Sequence, residues 1–187
     1  MSVSISVITA SLPTRSTMLA EAVASVAAQT VQPLEHRIGI DYLGDGTGYT
    51  KTVLAARARG DWIATLDDDD VLSPEHLETL AANVDGADIV YSWCEVVGRN
   101  GWTPNRDFDP DALRESNFIP ATALIRKQLA VDLGWRDSAD CPFGWEDWDF
   151  WLRALDAGAR FRCVPKVTWT YRFHPGAKTI CGEKGAF

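Results

Sequence analysis

Residues 64–77 read ATLDDDDVLSPEHL. Four aspartates, Asp67 to Asp70, stand side by side after an apolar run and before a helix start. No Lys or Arg lies within several residues of them along the chain. Acids near a helix N-terminus gain roughly 0.3–1 kcal/mol each from the dipole, which accounts for one or two of them. Each like-charge pair at about 4 Å costs about 1 kcal/mol even in bulk water, and more where water is scarce. A bound divalent cation reverses that sign. Carboxylate oxygens with no soft ligand suit Mg2+ or Mn2+, and Mg2+ commonly completes its shell with phosphate oxygens.

Working outward, DWIATL (61–66) is a strand that delivers the tetrad. Ser73 as N-cap and Pro74 at the first helical position predict a helix from Pro74 to about Val84. Upstream, Val3–Ala10 is a buried strand, and a helix with Met18, Leu19, Ala22, Val23, Val26 and Ala27 on one face ends near Gln29. EHRIGID (35–41) is a second strand ending at Asp41, and the glycine-rich YLGDGTG is a loop. A helix over Thr50–Arg59 is closed by Gly60 as a C′ residue.

Downstream, ADIVYSWCEVV (87–97) is a fourth strand and GRNG supplies a hairpin turn. Trp102–Ser116 is polar and poorly periodic. WEDWDFWLRALDAG (145–158) is the clearest helix, with Trp148, Trp151, Leu152 and Leu155 on one stripe. Two short strands, RFRCVP and VTWTYRF, follow it. The alternation of strand and helix in the first half predicts a parallel sheet with helices on its faces. Ligands of such sheets bind beyond the carboxyl ends of the strands, where Asp41 and Asp67 both fall.

The 187 residues suit one domain, and 46% hydrophobic residues supply a core. A net charge of −8 with no Lys/Arg stripe argues against a nucleic-acid partner. No apolar run reaches the length of an integral membrane segment, and MSVSISVITA reads as a strand rather than a signal peptide. Cys94, Cys141, Cys163 and Cys181 are scattered without a CxxC pair, so reduced thiols in the cytoplasm fit best.

Several stretches, in order, resemble the family 2 inverting glycosyltransferases of GT-A fold. SVITASLPTR is similar to the opening strand and loop of that family, and AVASVAAQT to its helix ending in SVLAQT. ARGDWIATLDDDD resembles AxGDYIxFLDxDD, which contains the D-x-D motif. WEDWDFWLRALDAGARF resembles the ED-containing helix, and YRFHPGAKT the closing YRxHxxSxS. The likeness runs over nearly the whole length. It implies an α/β fold: a Rossmann-like half with a mostly parallel central sheet, a small mixed acceptor half, and an α/β/α sandwich overall. A single GT-A domain over 1–187 is expected, with about 1–97 binding the nucleotide sugar and about 98–187 carrying the acceptor and catalytic half.

The resemblance also implies roles. Asp147, from the ED pair, is the expected general base. Asp69, the third D-x-D position, is the expected ligand of Mn2+ or Mg2+, with His174 completing the metal or diphosphate site. Asp67 faces the ribose and Asp41 the nucleobase. Lys51 stands where the family often has the Arg of ARNxG, and Thr9 lies against the nucleotide. Asp68, Trp145 and Glu146 are grouped with the substrate-binding residues. The Trp145 indole either stacks on a sugar ring or packs. Asp149, two residues beyond Asp147, points away and takes a structural or solvent role. His36 and His76 read as surface or capped residues, and Asp45 as a turn former. The family's DDGSTDGT is here IDYLGDGTG, with Tyr42 in place of a glycine, so the donor nucleobase is left open.

The implied reaction moves a sugar from a nucleotide-diphosphate donor, a UDP-sugar first, to the hydroxyl of an unknown acceptor. A homodimer is left open. Two rival readings fit the same residues. LDDDDVL also fits the D-x-D-x-[TV] pattern of haloacid-dehalogenase-like phosphatases, although that motif normally ends the first strand and here two strands precede it. The other rival is a non-catalytic nucleotide-sugar-binding module of the same fold.

Overall fold

The computed structural model describes residues 3–101, 103–137 and 145–174. The elements run β1 (Ile5–Ser11), α1 (Ser16–Ala27), β2 (Glu35–Ile40), α2 (Thr47–Arg57), β3 (Trp62–Thr65), β4 (Val71–Leu72) and α3 (His76–Ala81). They continue with β5 (Ile89–Val97), α4 (Pro110–Glu115), β6 (Ala123–Arg126), α5 (Lys127–Leu133), α6 (Glu146–Asp156) and β7 (Phe161–Arg172). All seven strands form one sheet in the order β2-β1-β3-β6-β5-β7-β4.

β1 is buried at every position and pairs in parallel with β2 on one side and β3 on the other. α1 and α2 are the crossovers that parallel pairing demands. Beyond β3 the sheet is mixed: β6 is antiparallel to β3 and β5, β7 is parallel to β5, and β4 is antiparallel to β7. β6 comes from the second half of the chain yet sits between β3 and β5, so both halves share one sheet.

Alternate strand residues feed two apolar layers, as a period of two requires. Ile8, Ile63, Ile89 and Ile125 pack with Leu54, Phe150 and Trp151 on one face. Val7, Trp62, Val90 and Leu124 pack with Val26, Leu77 and Leu80 on the other. This is the expected α/β/α sandwich.

Five local expectations are corrected. Ser73 does not cap α3, which runs only from His76 to Ala81 after Glu75, with no side-chain cap. Gly60 does not close α2, which ends at Arg57. A Cβ at Gly60 would lie 2.6 Å from the Ser6 nitrogen, so glycine here lets the chain pass against β1. GRNG is not a hairpin turn, because β5 is followed by α4 and pairs with β6 and β7. The two short strands at the end are one strand, β7, whose register against β5 shifts around Pro165, which has no N–H to donate. The irregular middle holds α4, opened by Asp109, whose Oδ1 accepts from the Asp111 and Ala112 nitrogens at 2.9 and 3.0 Å. Pro110 takes the first helical position, the arrangement that such a cap favours.

Candidate active site

Parallel pairing brings the ends of β1, β2 and β3 to one edge. The Asp41 nitrogen donates to the Ser11 carbonyl at 2.9 Å, and Leu66 to the Ile8 carbonyl at 3.1 Å. Beyond that edge lies a cavity of about 140 Å³. Asp41, all four tetrad aspartates, Arg15, Trp145, Glu146 and Asp147 line it.

The tetrad turns back on itself, with the Asp70 nitrogen donating to the Asp67 carbonyl at 3.2 Å. Its four carboxylates take different sets of partners. Asp67 Oδ1 is 3.0 Å from Lys51 Nζ. Asp68 accepts from Ser11 Oγ at 2.6 Å and from Arg15 Nη1 at 2.8 Å. Asp69 Oδ2 meets Arg15 Nη1 at 2.9 Å and His174 Nε2 at 3.1 Å. Asp70 Oδ1 accepts from the Arg172 nitrogen at 3.1 Å, while the Arg172 guanidinium reaches the Asp69 carbonyl and Glu21.

The tetrad is thus not without basic neighbours. Arg15, Lys51 and Arg172 come to it through the fold from far along the chain, which sequence distance does not show. Even so, burial, followed by the charges of Asp67 and Asp69, raises the Asp70 carboxyl well above the usual range. One ligand oxygen each from Asp67, Asp69 and Asp70 lie within 4.8 Å of one another. Hard oxygens gathered so closely, with positive charge still short, fit a divalent Mn2+ or Mg2+ ion.

Asp41 ends β2 and folds its own loop. Its Oδ1 accepts from the Gly44 and Asp45 nitrogens at 2.7 and 3.0 Å, and its Oδ2 from Gly46 at 2.9 Å. The Gly46 amide first among these, they lower the Asp41 pKa. The turn-forming role read for Asp45 belongs to Asp41. Gly46 has φ of +95°, and a Cβ there would collide with the Asp137 carboxylate.

α6 begins at the cavity. Glu146 is buried, 3.5 Å from Lys51 Nζ. Asp147 Oδ2 accepts from Asn117 Nδ2 at 3.0 Å and Oδ1 from the Trp148 nitrogen at 2.8 Å. Desolvation, then the neighbouring Glu146 charge, raises the Asp147 carboxyl to about 7. Asp149 is turned to the opposite side and lines no part of the cavity. It is buried, with Arg153 Nε at 2.7 Å and Arg136 Nη1 at 3.4 Å. Trp145 packs at 49° against Trp148, centroids 5.9 Å apart, and also lines the cavity.

Two expected substrate contacts stand back from the cavity. Thr9 is fully buried, its hydroxyl 2.9 Å from His36 Nε2. Lys51 is 1% exposed behind Asp67 and Glu146. Burial lowers the His36 pKa to about 4 and the His76 pKa to about 3. His76 is therefore corrected: it is a neutral core histidine with Nδ1 2.7 Å from Thr168 Oγ1. Ser11, Arg15, Thr47 and Thr50 line the cavity and were not foreseen. Ser11 and Arg15 both fall in the quoted opening segment SVITASLPTR, which was the available signal. Cys94 and Cys163 are free thiols, and Cys141 and Cys181 lie outside the described residues. No helix among the described residues is long and apolar enough to cross a membrane.

The family model described as glycosyl transferase family 2 matches residues 28–132. The chain belongs to that family, and the phosphatase alternative falls. A Bacillus subtilis protein carrying the name uncharacterized glycosyltransferase YwdF is 32% identical over 69% of this chain and 51% of its own length. One from Methanocaldococcus jannaschii, uncharacterized glycosyltransferase MJ1057, is 24% identical over 70% of this chain and 47% of its own. The chain thus spans about half the length of these relatives. The crystal structure of S. aureus TarS 1-349 in complex with UDP-GlcNAc superposes with a TM-score of 0.71 at 17% identity, over 93% of this chain and 60% of that one. That likeness shows the GT-A fold.

Proposed function

We propose that this chain transfers a sugar from a nucleotide-diphosphate donor to an acceptor hydroxyl, inverting the anomeric carbon, with a divalent metal at the tetrad. The observation that carries the reading is that one cavity is lined by both the aspartate tetrad and the raised carboxyl of Asp147. A UDP-sugar is the first donor to try, since the similar TarS structure is a complex with UDP-GlcNAc.

Asp69 and His174, with Asp67 and Asp70 beside them, are the residues that would hold Mn2+ or Mg2+. When bound, the ion supplies Lewis-acid stabilisation of the departing diphosphate. Asp147 accepts the proton of the acceptor hydroxyl while the acceptor oxygen bonds to the anomeric carbon. The bond from that carbon to phosphate oxygen breaks on the opposite side, and the diphosphate leaves with its electron pair. Asp41 shapes the loop at the end of β2, where the base is read, and Asp67 lies at the ribose side. Trp145 and Glu146 flank the acceptor. The free thiols of Cys94 and Cys163 support a cytoplasmic setting.

The test is release of UDP from a panel of UDP-sugars with Mn2+, with water or simple glycosides as acceptor. Metal-dependent release from at least one donor is expected. A binding module of the same fold is favoured by one observation, the engagement of all three Asp41 contacts by its own loop. Saturable donor binding with no release from any donor would establish that second reading.

A further inference from the structure

α4 and the segment between it and β6 are fastened to α6 at three points. Trp148 Nε1 donates to the Leu113 carbonyl at 2.7 Å, and Trp151 Nε1 to the Ile119 carbonyl at 3.1 Å. Between these, Asn117 Nδ2 donates to Asp147 Oδ2 at 3.0 Å. Phe118 and Ile119 are buried beside it, which fixes the backbone that carries Asn117. Asn117 itself is 2% exposed and lines no part of the cavity.

Its other amide atom, Oδ1, is buried and has no hydrogen-bond partner among the described residues. Burying an unpaired polar atom is unfavourable, and an apolar residue of similar size would avoid it. What the asparagine supplies in return is one directed hydrogen bond to the carboxylate. Flipping the amide would set two oxygens against each other, so its orientation is fixed by Asp147.

We propose that Asn117 is a positioning residue for the base: its amide holds the Asp147 carboxylate in place and favours its ionised form. The inference rests on the transferase reading of the site. With Oδ1 held by the Trp148 nitrogen and Oδ2 by Asn117, the carboxylate cannot rotate freely, and its remaining lone pairs are presented in a set direction. The charged groups facing it are Glu146 beside it and Lys51 from α2. Neither is altered by a change at position 117.

The experiment is a carboxyl carbon NMR titration of Asp147, assigned by the Asp147→Asn variant, in the wild type and in Asn117→Leu. Leucine has a similar size and no donor. The midpoint should rise by roughly one pH unit, so that below neutral pH the ionised fraction falls about tenfold. kcat for donor turnover should fall with it at those pH values, with donor affinity unchanged. If Asn117→Leu does not fold, Asn117→Ala must show the same upward shift. An unchanged midpoint in a folded variant overturns the proposal. A wild type that turns over no donor overturns the transferase reading instead, while the titration still reads the Asn117 contact.

Discussion

Lys51 Nζ lies 3.0 Å from Asp67 Oδ1 and 3.5 Å from Glu146 Oε1, with the lysine side chain 2% exposed. One buried cation thus ties the tetrad after β3 to the first residue of α6. Burial alone would lower the lysine pKa, but the charges of Asp67 and Glu146 outweigh it and the shift is upward.

Removing one partner of a buried ion pair typically costs about 3–5 kcal/mol, because the other charge is left unpaired. Lys51→Met should therefore lower stability, by less than that full amount because the Asp67 side chain is 34% exposed, measured as the shift in urea midpoint. A loss near zero would show that Asp67 and Glu146 are satisfied by water instead.

Asp147 and Asp149 should separate chemistry from structure. Asp147→Asn keeps the shape but cannot take a proton, so donor turnover should fall roughly 10²–10⁴-fold with donor binding retained. Asp149→Asn weakens the pairs with Arg153 and Arg136 and should lower the melting temperature while leaving turnover largely intact. The reverse pattern in steady-state rates would move the base to Asp149.

The acid limb of the pH–rate profile follows from the same carboxyl. As the proposed base, Asp147 works ionised, and its pKa is raised to about 7. kcat should climb about tenfold per pH unit below that value and level off above it. A profile flat from pH 5 to pH 8 would contradict the assignment.

His76 sets a different pH dependence, that of stability. The native imidazole takes a proton only near pH 3, against 6.5 for the ordinary group. Between those values unfolding takes up a proton, so stability falls as the pH drops below 6.5. From pH 7 to pH 5 the loss from this one group is about 2 kcal/mol, and His76→Gln should remove it. Urea midpoints at the two pH values measure both.

Much of this was legible in the sequence where local signals and global fold agree. The β-branched run at Ile5–Ser11 and the amphipathic stretch at Glu146–Asp156 form the strand and helix that their periodicity demands. β4 and β6 were not seen: two residues leave β4 too short a pattern, and β6 runs straight into α5 at Lys127 with no turn residue between them. The electrostatics of the site were the least legible part. Arg15 and Arg172 reach the tetrad from 53 and 103 residues away, so proximity along the chain misrepresented its charge. Asp41 stood at the expected strand end, yet its carboxylate proved to be occupied with three amides of its own loop.

That loop gives a further expectation. Asp41→Ala should weaken nucleotide binding chiefly by releasing the loop, so hydrogen exchange at Gly44–Gly46 should rise together with the dissociation constant. Unchanged exchange with weakened binding would mean that the carboxylate acts on the ligand directly.

The central claim is that the tetrad binds a nucleotide diphosphate through a divalent ion. Calorimetric titration of UDP into the wild type and Asp69→Ala, each with Mn2+ and with excess EDTA, tests it most directly. Saturable binding is expected in the wild type with Mn2+, with none in EDTA and none in the variant. Equal affinity in EDTA, or full affinity in Asp69→Ala, would contradict it.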